Sequence, residues 1–141
     1  GPVEQMIVLE AFGAGLLIEP YLATIVLSGS AIQSAAHETK KSELLNAISA
    51  GDHLMSFAHS ERLSRYQLSQ VETQAQLEDG NWILNGEKTI VLHGGIADTI
   101  IVSARTKGSN QTIVPHLTES YSSLKTRGTK EIEQYKKILN K

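Results

Sequence analysis

The 141-residue chain contains no cysteine. That removes disulfides, thiolate metal sites and cysteine nucleophiles, and it fits a reducing, cytoplasmic setting without requiring one. Neither sign of charge dominates: 13 Lys and Arg against 15 Asp and Glu give a net charge of −2. No basic excess points to nucleic acid or to an anionic membrane surface. Long hydrophobic runs are also missing. The most apolar region, Met6 to Leu9 and then Leu16 to Ile18, is interrupted by Glu10, Gly13 and Gly15, too short and broken for a membrane span. No basic segment precedes it, so it does not read as a signal peptide. The chain opens on Gly1-Pro2 with no initiator Met, which reads as a tag-cleavage scar or as the cut edge of something longer. There is no Ser-His-Asp order, no P-loop and no dinucleotide fingerprint. Gly13-Ala14-Gly15 lies in a helical pattern without a preceding strand, so a Rossmann reading fails on context.

What is present is ordinary for a globular protein: 40% hydrophobic and 20% charged residues. The first half is helical in period. Val3 to Leu17 carries Met6, Ile7, Leu9, Phe12 and Leu16 at mixed three- and four-residue spacing, which predicts a largely buried helix. Pro20 suits the first turn of a second helix, Tyr21 to Ala36. Leu22, Ile25, Val26 and Ile32 give that helix an apolar face, and its many small residues permit close approach. A third helix is expected over Thr39 to Ser49, with Leu44, Leu45 and Ile48 inward and Gly51 as its stop.

The second half alternates with period two. His53 to His59 reads as a short buried strand and Glu61 to Ser69 as a polar loop. Gln70 to Glu78 reads as a half-buried strand with Val71, Thr73, Ala75 and Leu77 on one side. Two hairpin signals follow, Asp79-Gly80 and Asn85-Gly86, the second the stronger. Ala97 to Arg105 is another strand. Helices followed by strands predict an α+β fold with an antiparallel sheet or partial β-barrel. Beyond Gly108 a Thr/Ser-rich stretch leads to an expected amphipathic helix over Thr129 to Lys141, with Ile132, Tyr135, Ile138 and Leu139 on one face. The expected divisions are a helical unit at 1–52, a β unit at 53–108 and a divergent tail at 109–141.

Four segments, in order, resemble the acyl-CoA dehydrogenase family. Glu10 to Thr24 (E-A-F-G-A-G-L-L-I-E-P-Y-L-A-T) resembles a helix-to-helix passage of the branch that carries V-L-H-G where other members carry W-I-T-N. Leu44 to Asp52 (L-L-N-A-I-S-A-G-D) resembles the segment closing the family's helical N-terminal domain. His59 to Leu68 (H-S-E-R-L-S-R-Y-Q-L) resembles its T-E-P loop. Asn81 to Thr106 resembles the core of its β middle domain. The resemblance implies FAD and an oxidoreductase of fatty acid metabolism that dehydrogenates an acyl-CoA at α and β. It also implies an electron-transfer flavoprotein as electron acceptor and a homo- or hetero-oligomer. In the family a Glu base removes the α-proton and flavin N5 takes the hydride. That Glu belongs to a C-terminal helical domain with no counterpart here, so no catalytic residue is assigned in this chain.

Residue by residue, the resemblance places Phe57, His59, Ser60, Ile90, Leu92 and His93 at cofactor positions, and Arg65 and Tyr66 at the substrate. Ser60 keeps the hydroxyl of the family Thr that meets the flavin pyrimidine edge. Arg65 carries a planar guanidinium suited to phosphate. Each has a plainer reading: a strand-end Ser, a core Phe57, a solvated loop Arg. Trp82 reads as hairpin core, and His59 with His93 lacks further ligands for a metal. Arg62 stands where the family has Pro, and Leu92 offers no hydroxyl. The alternative function is a catalytically inactive truncated paralogue serving as a partner subunit or binding module.

Overall fold

In a computed structural model of the chain, residues 1–36, 38–65, 67–106, 113–119 and 135–138 are described. Helix α1 (Pro2–Gly15) begins on a proline, whose fixed φ and missing N–H suit a first turn. It ends where Leu16 turns left-handed, with the Leu17 N–H bonded to the Phe12 carbonyl at 2.9 Å. The helix lies where periodicity predicts it, but its expected burial is not found. None of its residues is buried, and Val3, Met6, Ile7 and Leu9 are exposed. Met6 to Leu9 are consecutive, so they point around the helix instead of down one stripe. Phe12 meets Tyr21 edge-on at 5.5 Å between ring centres.

The second helical stretch is wound in two ways. Leu22–Ser28 forms a π-helix that continues into α2 (Gly29–Ala35). Its small residues do what close approach demands: Ala23, Thr24 and Ser28 are buried, and the Thr24 hydroxyl both donates to the Met55 carbonyl (2.9 Å) and accepts from the Met55 N–H (3.1 Å). Helix α3 (Glu38–Ala50) stops at Gly51, which sits at φ 80°. Leu44 and Ile48 pack with Ile32, Met55 and Ile101 to join helices to sheet. Leu22, expected on the apolar face, is instead 41% exposed.

The strands are β1 (Met55–Ala58), β2 (Gln74–Glu78), β3 (Asn81–Asn85), β4 (Thr99–Thr106), β5 (Ile113–Glu119) and β6 (Tyr135–Ile138). They form a mixed sheet, where alternation alone suggested an antiparallel one. Along one edge of β4 lie β1 and then β2, both parallel to it; β5 runs antiparallel along the other. β3 pairs antiparallel with β2, and β6 with β3. Periodicity reports which residues face inward but not which strand lies beside which. Thr99 to Ala104 are buried without a break, as a central strand covered on both faces must be. Ile100, Val102 and Ala104 pack with Ala58, Ala75, Leu84 and Ala97, and the half-buried Trp82 closes this cluster.

Three local expectations change. The hairpin turn is Asp79-Gly80, at φ 49° and 77°, between paired Glu78 and Asn81; two successive positive φ angles match a type I′ turn. Asn85-Gly86 makes no hairpin, and 87–91 is not strand. Gly86 instead lets the backbone approach: a Cβ there would lie 2.5 Å from Thr73 Oγ1 and 2.7 Å from Thr73 Cα. The strand expected from Gln70 begins only at Gln74, and Leu77, expected inward, is exposed. Finally, Tyr135–Ile138 are strand β6, where a helix was expected; pairing to the β3 edge gives tertiary support that a short lone helix lacks. The rest of the expected C-terminal helix lies outside the described residues.

Candidate functional site

The most constrained chemistry in the fold is a buried ion pair between two segments that flank the core. Glu61 follows β1, and Lys88 follows the Gly86 bend. Lys88 Nζ lies 2.6 Å from Glu61 Oε1, with the two side chains 1% and 5% exposed respectively. A lysine ammonium has three N–H groups. Lys88 points them at Glu61 Oε1, at the His59 carbonyl (3.2 Å) and at Ser103 Oγ on β4 (3.0 Å). Glu61 is matched in turn. Its Oε1 accepts from the Thr73 N–H (3.0 Å) and the Thr73 hydroxyl (2.6 Å), and its Oε2 accepts from the Glu72 N–H (2.6 Å).

The electrostatics follow from this geometry. Burial alone would raise the Glu61 pKa, but its bonds to Lys88, Thr73 and the two backbone N–H groups together hold it below the ordinary carboxylate value. Burial pushes the Lys88 ammonium down, and the carboxylate opposes that push. His59 Nδ1 lies 3.0 Å from Ser103 Oγ, and its ring stacks on Phe57 at 5.6 Å. Burial, then the nearby Lys88 cation, depress the His59 pKa. Neither Glu61 nor Lys88 stood out in the sequence as a site residue. The available signal was a Lys two residues beyond a glycine that replaces a hairpin turn, and a Glu flanked by an otherwise polar loop.

Around this cluster two segments adjoin, 57–60 and 88–93. The Thr89 N–H bonds the Ser60 carbonyl at 2.8 Å, and the Ser56 hydroxyl bonds the Leu92 carbonyl at 2.7 Å. Six of the sequence-selected residues therefore sit on neighbouring stretches of backbone. Phe57 and His59 are half-buried on the face of β1 opposite Ser56 and Ala58. Phe57 packs against the helical cluster of Ile32 and Met55. Ser60, Ile90, Leu92 and His93 are exposed, Ile90 at 83%. Ile90 and His93 adopt left-handed backbone angles, φ 53° and 56°, unfavourable for a β-branched residue and uncommon for either. Arg65 is exposed at φ 48° on the loop that follows Glu61. Tyr66 lies outside the described residues. Among the described residues no group of three or more metal-type side chains converges, and no helix is long and apolar enough to cross a membrane.

Comparison with known proteins gives this geometry a family. The profile of the acyl-CoA dehydrogenase middle domain matches residues 56–136, more than half of the chain. The chain belongs to the acyl-CoA dehydrogenase family. The match runs past Gly108, takes in β5 and reaches the first two residues of β6, strands that join the same sheet. An acyl-CoA dehydrogenase of Bacillus subtilis is 34% identical over 70 residues, 50% of this chain and 18% of that protein. A short-chain-specific acyl-CoA dehydrogenase of Clostridium acetobutylicum is 29% identical over 86 residues, 59% of this chain and 23% of its own length. The chain thus spans less than a quarter of these relatives. Among solved structures, the ChsE4–ChsE5 complex of Mycobacterium tuberculosis superposes with a TM-score of 0.72 at 23% identity, over 82% of this chain and 31% of that one, and shows the shared α+β fold. A glutaryl-CoA dehydrogenase of Mycobacterium smegmatis, solved with FADH2, matches at 30% identity and a TM-score of 0.59, over 66% of this chain and 23% of that one.

Proposed function

We propose that the chain supplies the β-domain wall of a flavin site in an acyl-CoA dehydrogenase. The observation that carries this reading is the union of the 57–60 and 88–93 segments over the buried Lys88–Glu61 pair. The Ser60 backbone adjoins Thr89, the residue before exposed Ile90, and Leu92 farther along the same segment is exposed as well. A flat ring system with an apolar body and a polar edge suits that donor set. Ser60 would meet the polar edge, Ile90 and Leu92 the ring face, and His93 the rim. Phe57 and His59 would back the wall from the helical side. FAD, when bound, supplies the hydride acceptor of an acyl-CoA α,β-dehydrogenation. The chain's own part is to bind, orient and exclude water. Arg65, with Tyr66, would face a phosphate of the acyl-CoA. We assign the proton-abstracting base to no residue here.

On this reading the helical unit at 1–52 and the β unit at 53–108 keep the family's order. An electron-transfer flavoprotein takes the electrons, and the active assembly is an oligomer. One structural relative is a complex of two different chains, which supports that last expectation. The alternative, a binding subunit without catalysis of its own, draws on the exposed apolar side chains of α1.

The test is a visible absorption spectrum of the purified chain, before and after incubation with FAD and desalting, with solution mass recorded. Near-stoichiometric retained flavin, lost in Ile90→Asp and weakened several-fold in Ser60→Ala, is the expected result. A folded, colourless chain that gains nothing from FAD overturns the flavin-wall reading and leaves the binding subunit.

A further inference from the structure

Residues 88–92 run beside 56–61 in the opposite sense without forming a strand. Three ties set the match. Lys88 Nζ meets Glu61 Oε1 at 2.6 Å, the Thr89 N–H meets the Ser60 carbonyl at 2.8 Å, and the Ser56 hydroxyl meets the Leu92 carbonyl at 2.7 Å. The partners fall in reverse order along the two segments, as in an antiparallel ladder. What stops the ladder is Ile90, whose φ of 53° turns the chain out of the extended region. A β-branched residue tolerates that backbone poorly. The Ile90 side chain gains no burial in exchange, since it is 83% exposed.

Strain of this kind persists only where the surroundings over-determine it, and here they do. Before Ile90, Lys88 is 1% exposed and satisfied by Glu61, the His59 carbonyl and Ser103. After Ile90, the Leu92 carbonyl is held by Ser56, which is fully buried. Between them Val91 packs against the core cluster. The chain then closes on Val91: the Gly94 N–H bonds its carbonyl at 3.1 Å, and a Cβ at Gly94 would lie 2.9 Å from Val91 Cγ1. We infer that Lys88 and Ser56 are positioning residues, two buried clamps on either side of Ile90 that hold residues 89–91 in a strained bow and stand the Ile90 side chain out from the fold as a ligand contact. That the ligand is a flavin rests on the proposed function; the clamp does not.

The test is a stability cycle by urea unfolding at pH 7. Asn tolerates a left-handed backbone and Val does not. Ile90→Asn is therefore expected to raise the folding equilibrium constant about fivefold, the lower end of what a left-handed backbone costs an L-residue. Ile90→Val keeps the strain and should stay within about twofold of wild type. In the Ser56→Ala background, and likewise in Lys88→Met, the bow relaxes unaided and the gain from Ile90→Asn is expected to vanish. No gain in the wild-type chain, or an equal gain with and without the clamps, overturns the inference. FAD retention gives the second readout. Ser56 is too buried to touch a ligand, so a folded Ser56→Ala chain that retains FAD several-fold less tightly supports positioning, and one that retains it as wild type does overturns it. A wild-type chain that retains no FAD while the stability cycle behaves as described leaves the clamp standing and removes the flavin-wall reading instead.

Discussion

Replacing Lys88 by Met removes the ammonium and keeps most of the side-chain volume, leaving the Glu61 carboxylate buried with three donors, the Glu72 N–H, the Thr73 N–H and the Thr73 hydroxyl. Breaking a buried ion pair by deleting one partner typically costs about 3–5 kcal/mol. The structure narrows that range. The orphaned carboxylate can escape by taking up a proton, and from an ordinary carboxyl pKa of 4.5 this costs about 3.4 kcal/mol at pH 7, at about 1.36 kcal/mol per pH unit. The remaining donors still solvate the charge, so we expect a loss of about 2–3 kcal/mol by urea unfolding at pH 7. The sign of the pH dependence is the sharper test. Without Lys88 a main bond lowering Glu61 is lost while burial, the largest single influence, remains, so we expect the folded-state pKa of Glu61 to rise above its unfolded value. Such a carboxyl regains stability as pH falls, so the deficit of Lys88→Met should shrink between pH 7 and pH 5. Losing the cation also relieves His59, which acts in the same direction. The companion Glu61→Gln should cost a similar amount, and the double variant should cost at least about 1 kcal/mol less than the two singles added. A Lys88→Met variant within about 0.5 kcal/mol of wild type, or a deficit unchanged from pH 7 to pH 5, would refute this account of the pair.

Three further outcomes are expected. In the wild-type chain, Glu61 is depressed when folded, so its contribution is complete above the unfolded value of 4.5 and is lost as pH falls through its folded value; His59, also depressed, adds an acid penalty beginning below its ordinary value of 6.5. Thermal unfolding followed by circular dichroism should show Tm falling in those two stages, and a flat profile between pH 7 and pH 4 would contradict it. Gly86→Ala should lose about 1–3 kcal/mol, because the new Cβ meets Thr73 backbone 2.7 Å away and displaces the residue that holds Glu61; chemical denaturation with no change would show that the bend is free to move. Thr24→Val, nearly isosteric, strands the Met55 N–H and carbonyl and should lose about 1–3 kcal/mol, read as earlier hydrogen exchange of β1 amides.

Where sequence pattern and structure agree, the determinants are local. Gly51 ends α3 because the backbone needs a left-handed residue there. The run Thr99 to Ala104 lies in the strand expected over Ala97 to Arg105, and is apolar or small enough to be buried on both faces. The Ser60 and Ile90 segments were legible only through their resemblance to a family. Where the two part, the cause is long-range. Asn85-Gly86 has ideal hairpin chemistry, yet Thr73 approaches from thirteen residues upstream and takes the glycine for contact. Asp79-Gly80 becomes the turn because β2 and β3 register there.

The sequence by itself determined the three N-terminal helices, the Gly51 stop, the buried run of β4 and the family resemblance, because propensity, capping and alternation act over a few neighbouring residues. Only the tertiary structure decided that the sheet is mixed, that α1 shows its apolar residues to solvent, and that Glu61, Lys88, Ser103 and His59 share one buried network. Those facts depend on partners 15 to 44 residues apart in the chain, and a buried charge declares itself only once its counter-charge is beside it.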